Sequence, residues 1–132
     1  MSVLDASFLT DALVAGGRLG DATQSRLSRV DRVHAPHLIG AEVLSAVRGL
    51  LARGAISEPV ARGALDRVAT LRMSLHAFGP FQHRVWELRD NATPYDAWYL
   101  ALAEAVDEPL ITTDAKLAAV PGVRCEVEVV VP

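Results

Sequence analysis

The sequence predicts an α/β fold in which a mostly parallel sheet of four to five short strands lies between two layers of helices. Short apolar runs typical of strands alternate with longer segments whose apolar residues recur at helical spacing. The chain has 132 residues, enough for one domain with one core, so we expect a single domain spanning residues 1–132. Hydrophobic residues make up 51% of the chain and charged residues 22%, which argues against disorder.

The first half of the chain predicts two strands and four helices. Apolar residues recur at helical spacing from Phe8 to Leu13, and Gly16 and Gly17 end that helix. In chain order we expect a strand at Val3-Leu4, a helix from Phe8, a helix capped by Asp21, a weak strand over 32–35, a helix over 40–54 and a helix that starts at Ser57-Glu58-Pro59. The apolar face of this last helix is expected on Val60, Ala64, Leu65, Val68 and Leu71.

The second half adds three strands and three helices. Thr93 and Pro94 begin a helix that runs through Val106 and is apolar on nearly every side, which predicts that it is buried. Trp98 and Tyr99 within it are expected to belong to the core rather than to stack on bases. The other expected elements are a strand over 73–78, a helix over 81–91, a strand over 109–112, a short helix at Ala115-Lys116-Leu117 and a closing strand over 123–131.

Charge and composition exclude several classes of protein. The chain carries 13 basic and 16 acidic residues, and its net charge of −3 argues against a simple basic nucleic-acid binder, although not against an enzyme that contacts phosphate through metal ions. No apolar run reaches the ~18 residues of a membrane span, and the N-terminus lacks the pattern of a signal peptide. The single cysteine, Cys125, fits a reducing compartment. We therefore expect a cytoplasmic protein with no membrane partner.

Four acidic residues stand at the edges of apolar segments. Asp5 directly follows the first strand, and Asp114 follows the strand over 109–112. Glu42 and Asp96 lie in the first turns of two helices. In an open parallel sheet, sites form beyond the carboxyl ends of the strands, so all four side chains could converge there. Because clustered carboxylates need a compensating charge, and a hard divalent cation suits an oxygen-only set, the four acids are candidate metal ligands.

Each acid also has a purely structural interpretation. Thr93 and Asp96 fit a capping box, which alone explains Asp96 as well as a metal site does. Glu42 could simply occupy a first turn, where acids are favoured. Asp5 fits a helix N-cap, and Asp114 fits a turn or the cap of the short helix. The ordered set of four nevertheless favours one shared site over four separate caps.

Four motifs in order resemble the PIN-domain family, and in particular the VapC toxins of bacterial toxin–antitoxin pairs. They are Val-Leu-Asp-Ala-Ser at the N-terminus, the mid-chain Glu42 that opens a helix, Tyr-Asp-Ala-Trp-Tyr-Leu-Ala-Leu-Ala-Glu over 95–104, and Leu-Ile-Thr-Thr-Asp ending at Asp114. The segment over 95–104 is the most specific. The resemblance runs the full length of the chain and implies a PIN-like three-layer α/β/α nuclease domain.

The resemblance implies a Mg²⁺-dependent endoribonuclease, with Mn²⁺ able to replace Mg²⁺, acting as the toxin of a VapBC-type pair. Asp5, Asp96 and Asp114 would do most of the metal binding, and Glu42 would add a ligand or orient water. Hydrolysis would leave 5′-phosphate and 3′-hydroxyl ends. The implied partners are an RNA substrate, a cognate VapB-like antitoxin that plugs the acids with an arginine, and a second copy of the chain in a homodimer.

Other polar residues could support such a site. Ser7 and Thr112 match hydroxyl positions of the family, although a turn or cap role explains them equally well. Lys116 could pair with a phosphate, with a solvated lysine as the simpler interpretation. Six arginines could form a basic rim for RNA, most of which are expected only to solvate helices: Arg48, Arg53, Arg62, Arg67, Arg84 and Arg89. The helices from Val43 to Leu71 could supply the dimer surface.

Four alternative functions fit less well or differ only in setting. A haloacid-dehalogenase-like phosphatase needs Asp-x-Asp after its first strand, whereas Ser7 stands two residues beyond Asp5. A receiver domain needs adjacent acids after the first strand and a central acceptor aspartate, and the chain shows neither. A PIN-fold binding module that has lost catalysis conflicts with acids at all four positions. A housekeeping RNA-processing nuclease outside any toxin pair is separated from a toxin only by the neighbouring gene.

Overall fold

The computed structural model describes residues 1–132 and contains one sheet with helices on both faces. The strands are β1 (Ser2–Leu4), β2 (Val33–Pro36), β3 (Met73–His76), β4 (Leu110–Thr112) and β5 (Val127–Val129). The helices are α1 (Ala6–Val14), α2 (Gly17–Ser28), α3 (Ile39–Ala52), α4 (Glu58–Thr70), α5 (Gln82–Glu87), α6 (Pro94–Val106) and α7 (Ala115–Ala118). None of these helices has the length and hydrophobicity that a membrane-spanning segment requires.

The sheet has the strand order β3-β2-β1-β4-β5, and every neighbouring pair is parallel. Consecutive strand residues face opposite sides of the sheet. Val3 and Leu110 pair in register and belong to a large core cluster, whereas Leu4 and Ile111 pair in register and belong to a smaller one. Both faces are therefore packed against helices, which confirms the predicted three-layer α/β/α arrangement. The carboxyl ends of β1, β2 and β4 lie along one edge.

Helix α6 is buried on nearly all sides, as predicted. Every residue from Ala97 to Ala103 is buried, and the helix packs against β1, β2 and β4. Leu100 and Leu102 are fully buried, and each contributes ~1.5–3 kcal/mol by leaving water. Asp96 immediately precedes this buried segment. The packing of α6 therefore fixes where the carboxylate of Asp96 can lie.

The predicted start of α2 is wrong. Asp21 does not cap this helix, which begins at Gly17 with Gly16 as its N-cap. The first turn of α2 packs closely against the end of the preceding segment, since a Cβ at Gly20 would lie 2.2 Å from the carbonyl oxygen of Ala15. Glycine at position 20 therefore permits an approach that the apolar periodicity alone does not reveal.

Three later elements are shorter than predicted. The helix expected over 81–91 ends at Glu87, and the strand expected from residue 73 ends at His76. The closing strand is limited to Val127–Val129 because its partner β4 offers only three residues, each paired with one residue of β5. Partner length, which is a property of the folded sheet, therefore sets the length of the last strand.

The apolar face predicted for α4 is partly wrong. Ala64 is buried together with Ala61, whereas Val60 and Leu65 are 42% and 39% exposed. Helix α3 likewise leaves Leu44 exposed. These apolar side chains lie on the helices for which the sequence predicts a dimer surface, and that dimer stays a prediction.

Candidate active site

Asp5 lies at the junction between β1 and α1, and its carboxylate is held by three donors. Its Oδ1 accepts hydrogen bonds from the backbone N–H of Phe8 at 2.9 Å and from Oγ of Ser7 at 2.8 Å. Its Oδ2 accepts a hydrogen bond from Oγ1 of Thr112 at 2.6 Å. Asp5 is thus the N-cap of α1, as the structural interpretation holds, and it is also the most buried of the four acids, at 5% exposure.

Thr112 connects the ends of β1 and β4. It is fully buried at the last position of β4, where its hydroxyl donates to Asp5 and accepts a hydrogen bond from the backbone N–H of Asp114 at 2.9 Å. Asp114 in turn caps the short helix α7, its Oδ1 accepting from the backbone N–H of Lys116 at 3.0 Å. One buried hydroxyl therefore orients one acid directly and fixes the backbone of another.

Glu42 and Asp96 approach the same edge from two helices. Glu42 lies in the first turn of α3, and its Oε1 accepts a hydrogen bond from the phenol of Tyr99 at 2.7 Å. In α6, Oγ1 of Thr93 accepts from the backbone N–H of Asp96 at 3.2 Å, which confirms Thr93 as the cap. The hydrogen bond of the cap uses the backbone N–H of Asp96.

Tyr99 is the site residue that sequence reasoning missed. It was expected to be a core residue, and it is indeed only 3% exposed, yet its hydroxyl reaches across from α6 to Glu42 on α3. The available signal was its spacing, since Tyr99 stands three residues after Asp96 and so shares a helix face with it. A buried tyrosine hydroxyl also needs a polar partner, and here that partner is a carboxylate.

Burial and mutual repulsion raise the pKa of three of the four acids. Desolvation is the main cause for Asp5, and the charge of Asp96 adds to the rise while the three donors oppose it. Desolvation also dominates the raised pKa of Glu42, with further contributions from Asp96 and Asp5 and an opposing one from the tyrosine hydrogen bond. For Asp96, desolvation comes first and the charge of Asp114 second, while a hydrogen bond with Thr93 and then the charge of Lys116 oppose the rise in pKa. The acids therefore influence one another across one edge of the sheet.

The structure thus brings Asp5, Glu42, Asp96 and Asp114 near enough to interact through their charges. Ser7 and Thr112 are bonded directly to Asp5, while Lys116 is exposed and acts on Asp96 only through its charge. No three His, Cys, Asp or Glu side chains lie close enough together here to enclose a metal ion, so metal binding by the acids belongs to the proposal below. The donors at this edge are carboxylates and hydroxyls, the oxygen chemistry that suits a hard cation.

The last residue of the 95–104 motif has a structural role instead. Glu104 accepts hydrogen bonds from Nε and Nη2 of Arg84 at 2.8 and 3.0 Å, and from the backbone N–H of Arg124 at 2.7 Å. These bonds tie α5 and the segment before β5 to α6. Arg84 is consequently engaged in an ion pair with Glu104 rather than free to join a basic rim.

A family model described as "PIN domain" matches residues 2–123 of the chain. The chain therefore belongs to the PIN-domain family. It is 41% identical over 129 residues to Ribonuclease VapC1 of Mycobacterium tuberculosis, an alignment that covers 97% of this chain and 96% of that protein. This similarity places the chain among the VapC ribonucleases of the family and confirms the resemblance predicted from the four motifs.

Solved structures share the fold at much lower sequence identity. VapC20 of Mycobacterium tuberculosis, described as a Sarcin-Ricin loop cleaving toxin, superposes with a TM-score of 0.70 at 14% identity, covering 94% of this chain and 97% of that one. VapBC2 from Rickettsia felis, bound to a DNA fragment from their promoter, gives a TM-score of 0.65 at 16% identity over 96% of this chain and 97% of that one. These superpositions support the three-layer architecture.

Replacing Asp96 with asparagine tests whether its carboxylate is electrostatically unfavourable. We expect Asp96→Asn to leave the melting temperature of the metal-free protein unchanged or higher near neutral pH, because the lost charge is desolvated and repelled by Asp114. Loss of a favourable first-turn charge opposes this gain by only ~0.3–1 kcal/mol. The pKa of Asp96 in the folded protein is raised above its ordinary 3.8, so its charge destabilises the fold only at pH values above about 3.8. The stability gained by Asp96→Asn should therefore shrink as the pH is lowered toward that value.

The measurement is thermal melting in chelator at about pH 7 and about pH 4.5. Asp90→Asn is the matched control, because Asp90 is exposed and lies outside the four-acid set, so it should change the melting temperature little at either pH. A clear loss of stability in Asp96→Asn near neutral pH would show that the acid acts only as a stabilising first-turn residue.

Proposed function

We propose that the chain is a divalent-metal-dependent endoribonuclease, the toxin of a VapBC-type toxin–antitoxin pair. The observation that carries the proposal is the grouping of four acids at one edge of the sheet, in a chain that belongs to the VapC ribonucleases: Asp5, Glu42, Asp96 and Asp114. The acidic oxygens suit Mg²⁺, with Mn²⁺ able to replace it. When bound, such an ion lowers the pKa of water and neutralises charge on the scissile phosphate.

The protein's own contribution is to orient the acids before RNA arrives. Asp5 is fixed by its three donors and cannot rotate without breaking charge-assisted hydrogen bonds. Tyr99 fixes one oxygen of Glu42 and leaves the other free to hold a cation or orient a water molecule. Asp96 and Asp114 supply carboxylates from the first turn of α6 and from the turn after β4. Orientation of this kind removes an entropic part of the barrier to hydrolysis.

Metal dependence is the direct test of this function. Cleavage of RNA should vanish in excess EDTA, return with Mg²⁺ or Mn²⁺, and return poorly with Ca²⁺. Mn²⁺ should also raise the melting temperature, because a ligand at a hundredfold excess over its dissociation constant stabilises the folded state by ~2.7 kcal/mol. Asp96→Asn should lose both responses together, whereas Asp90→Asn should keep both. Full cleavage activity in chelator would eliminate the metal mechanism.

Removing the phenol of Tyr99 tests its role in positioning Glu42. Tyr99→Phe keeps the buried ring and loses only the hydrogen bond, so we expect kcat to fall about tenfold, equivalent to ~1.4 kcal/mol, with little change in KM for RNA. The Mg²⁺ concentration for half-maximal activity should rise as well, which a packing defect alone would not produce. Tyr95→Phe is the control, since Tyr95 is on the same helix and 58% exposed. Equal effects in the two variants would contradict the positioning role.

The proposed partner is a VapB-like antitoxin that inserts an arginine among the acids. Arginine suits this role because its planar fork binds carboxylates bidentately. Expression of the chain alone should slow bacterial growth, and co-expression of a small DNA-binding protein encoded immediately upstream should restore it. Asp114→Asn should be harmless when expressed alone, which separates toxicity due to catalysis from toxicity due to overproduction. Harmless expression of an active wild-type chain would favour a housekeeping nuclease.

A further inference from the structure

A polar groove leads away from the acidic site between α1 and α3. Its volume is about 430 Å³, and its polar lining consists of Ser7, Thr10 and Asp11 from α1 with Glu42 and Ser45 from α3 and Arg53, the C-cap of α3. At its near end, Ser7 donates a hydrogen bond to Asp5. The negative charge of Glu42, at the same end, is repelled by the charges of Asp96 and Asp5. The groove therefore opens directly onto the four-acid site.

Arg53 stands at the far end of the groove. Residues 42, 45, 49 and 53 recur at intervals of three or four and so lie on one face of α3. At ~1.5 Å per residue, Arg53 is about 16 Å from Glu42 along the helix axis. Gly49 leaves room for the arginine to fold back along the helix, since a Cβ at Gly49 would lie 3.3 Å from Nη1 of Arg53. The guanidinium thus extends toward the acids rather than away from them.

The charge of Arg53 is available to a ligand. Arg53 makes no ion pair, whereas Arg26, Arg62 and Arg84 are each bound to a glutamate. The intervening acid of the groove, Asp11, accepts a hydrogen bond from Oγ1 of Thr113 at 2.7 Å, which draws its carboxylate toward the end of β4.

The wall of the groove also carries hydroxyl groups. Ser45 is exposed on the same face of α3 as Arg53, and Ser7 lines the near end of the groove. A free cation beside hydroxyl groups complements a phosphate and a ribose, the two polar parts of an RNA backbone.

We propose that this groove binds the RNA strand on one side of the cleaved bond, with Arg53 contacting a phosphate of that strand. The inference rests on the proposed ribonuclease function and adds a substrate-binding site to it. A cleft of this volume is at the small end of the roughly 300–1,000 Å³ range of ligand sites, so it holds a single strand rather than a duplex. The guanidinium fork suits a phosphate, and its position compensates for the repulsion that RNA meets at the acids.

The test is RNA binding across a series of salt concentrations. The probe is a fluorescein-labelled single-stranded RNA of mixed sequence, with Ca²⁺ as the divalent ion and fluorescence anisotropy as the signal. For single strands, each phosphate contact contributes about 0.7 to the slope of log K against log salt. Arg53→Gln should therefore lower this slope by about 0.7 and Arg53→Lys should largely keep it. Arg48→Gln removes the same charge from an exposed position of α3 outside the groove and should leave the slope unchanged.

Cleavage of the same RNA in Mg²⁺ supplies the second readout. Arg53→Gln should raise KM about five- to tenfold with kcat retained, and Arg48→Gln should behave as wild type. Equal salt slopes for the two glutamine variants, with wild-type cleavage intact, would overturn the groove site and leave the ribonuclease function standing. If the wild-type chain binds RNA with a salt slope that depends on Arg53 but cleaves no RNA, the ribonuclease function would be overturned and the groove site would stand. Absence of RNA binding by the wild type would overturn both.

Discussion

The buried carboxylate of Asp5 is the constraint on which the rest of the site depends. It sits between the ends of β1 and β4 and accepts hydrogen bonds from Ser7, Phe8 and Thr112. Hydrogen bonds to a charged group contribute ~1.5–3 kcal/mol each to stability. The free-energy cost of burying a charge without partners is larger than the contribution of any single one of these bonds. Because the pKa of Asp5 is still raised, its donors offset only part of the burial cost. A cation bound beside Asp5, as proposed above, would relieve the remainder.

The burial of the middle of α6 fixes the position of a second part of the site. Because the residues from Ala97 to Ala103 are all buried, the helix cannot rotate about its axis, and Asp96 and Tyr99, three residues apart, are held on one face. Tyr99 then bonds to Glu42 and joins α3 to α6 at an edge where Asp96 and Asp5 both repel Glu42. Tertiary packing of a single apolar helix thus holds in place an arrangement that the charges alone would separate.

Local sequence signals predicted much of this arrangement, and the missing part depends on angles between elements. Capping and a shared site were opposed interpretations for Asp5 and Asp114, yet both acids are caps and both lie at the carboxyl edge of the sheet. Each capping bond uses only one carboxylate oxygen, so capping does not conflict with the proposed metal role. The bond from Tyr99 to Glu42 was not predictable, since it depends on how α3 and α6 are oriented across the sheet. The predicted length of β5 was wrong for a similar reason, because its partner β4 sets that length.

Acidic residues outnumber basic ones in this chain, and three of the 13 basic side chains are bound to glutamates within the fold. The net charge is −3, and Arg84 is bound to Glu104, where it holds α5 against α6 and also donates to the carbonyl of Gly122 at 2.7 Å. Affinity for a polyanion must then come from a few cations at defined positions rather than from a broad basic face. Arg53 has no ion-pair partner and lies at the end of a groove that begins at Glu42. Its position is therefore more informative than the total number of arginines, because the proposed RNA strand would pass it next to the acids.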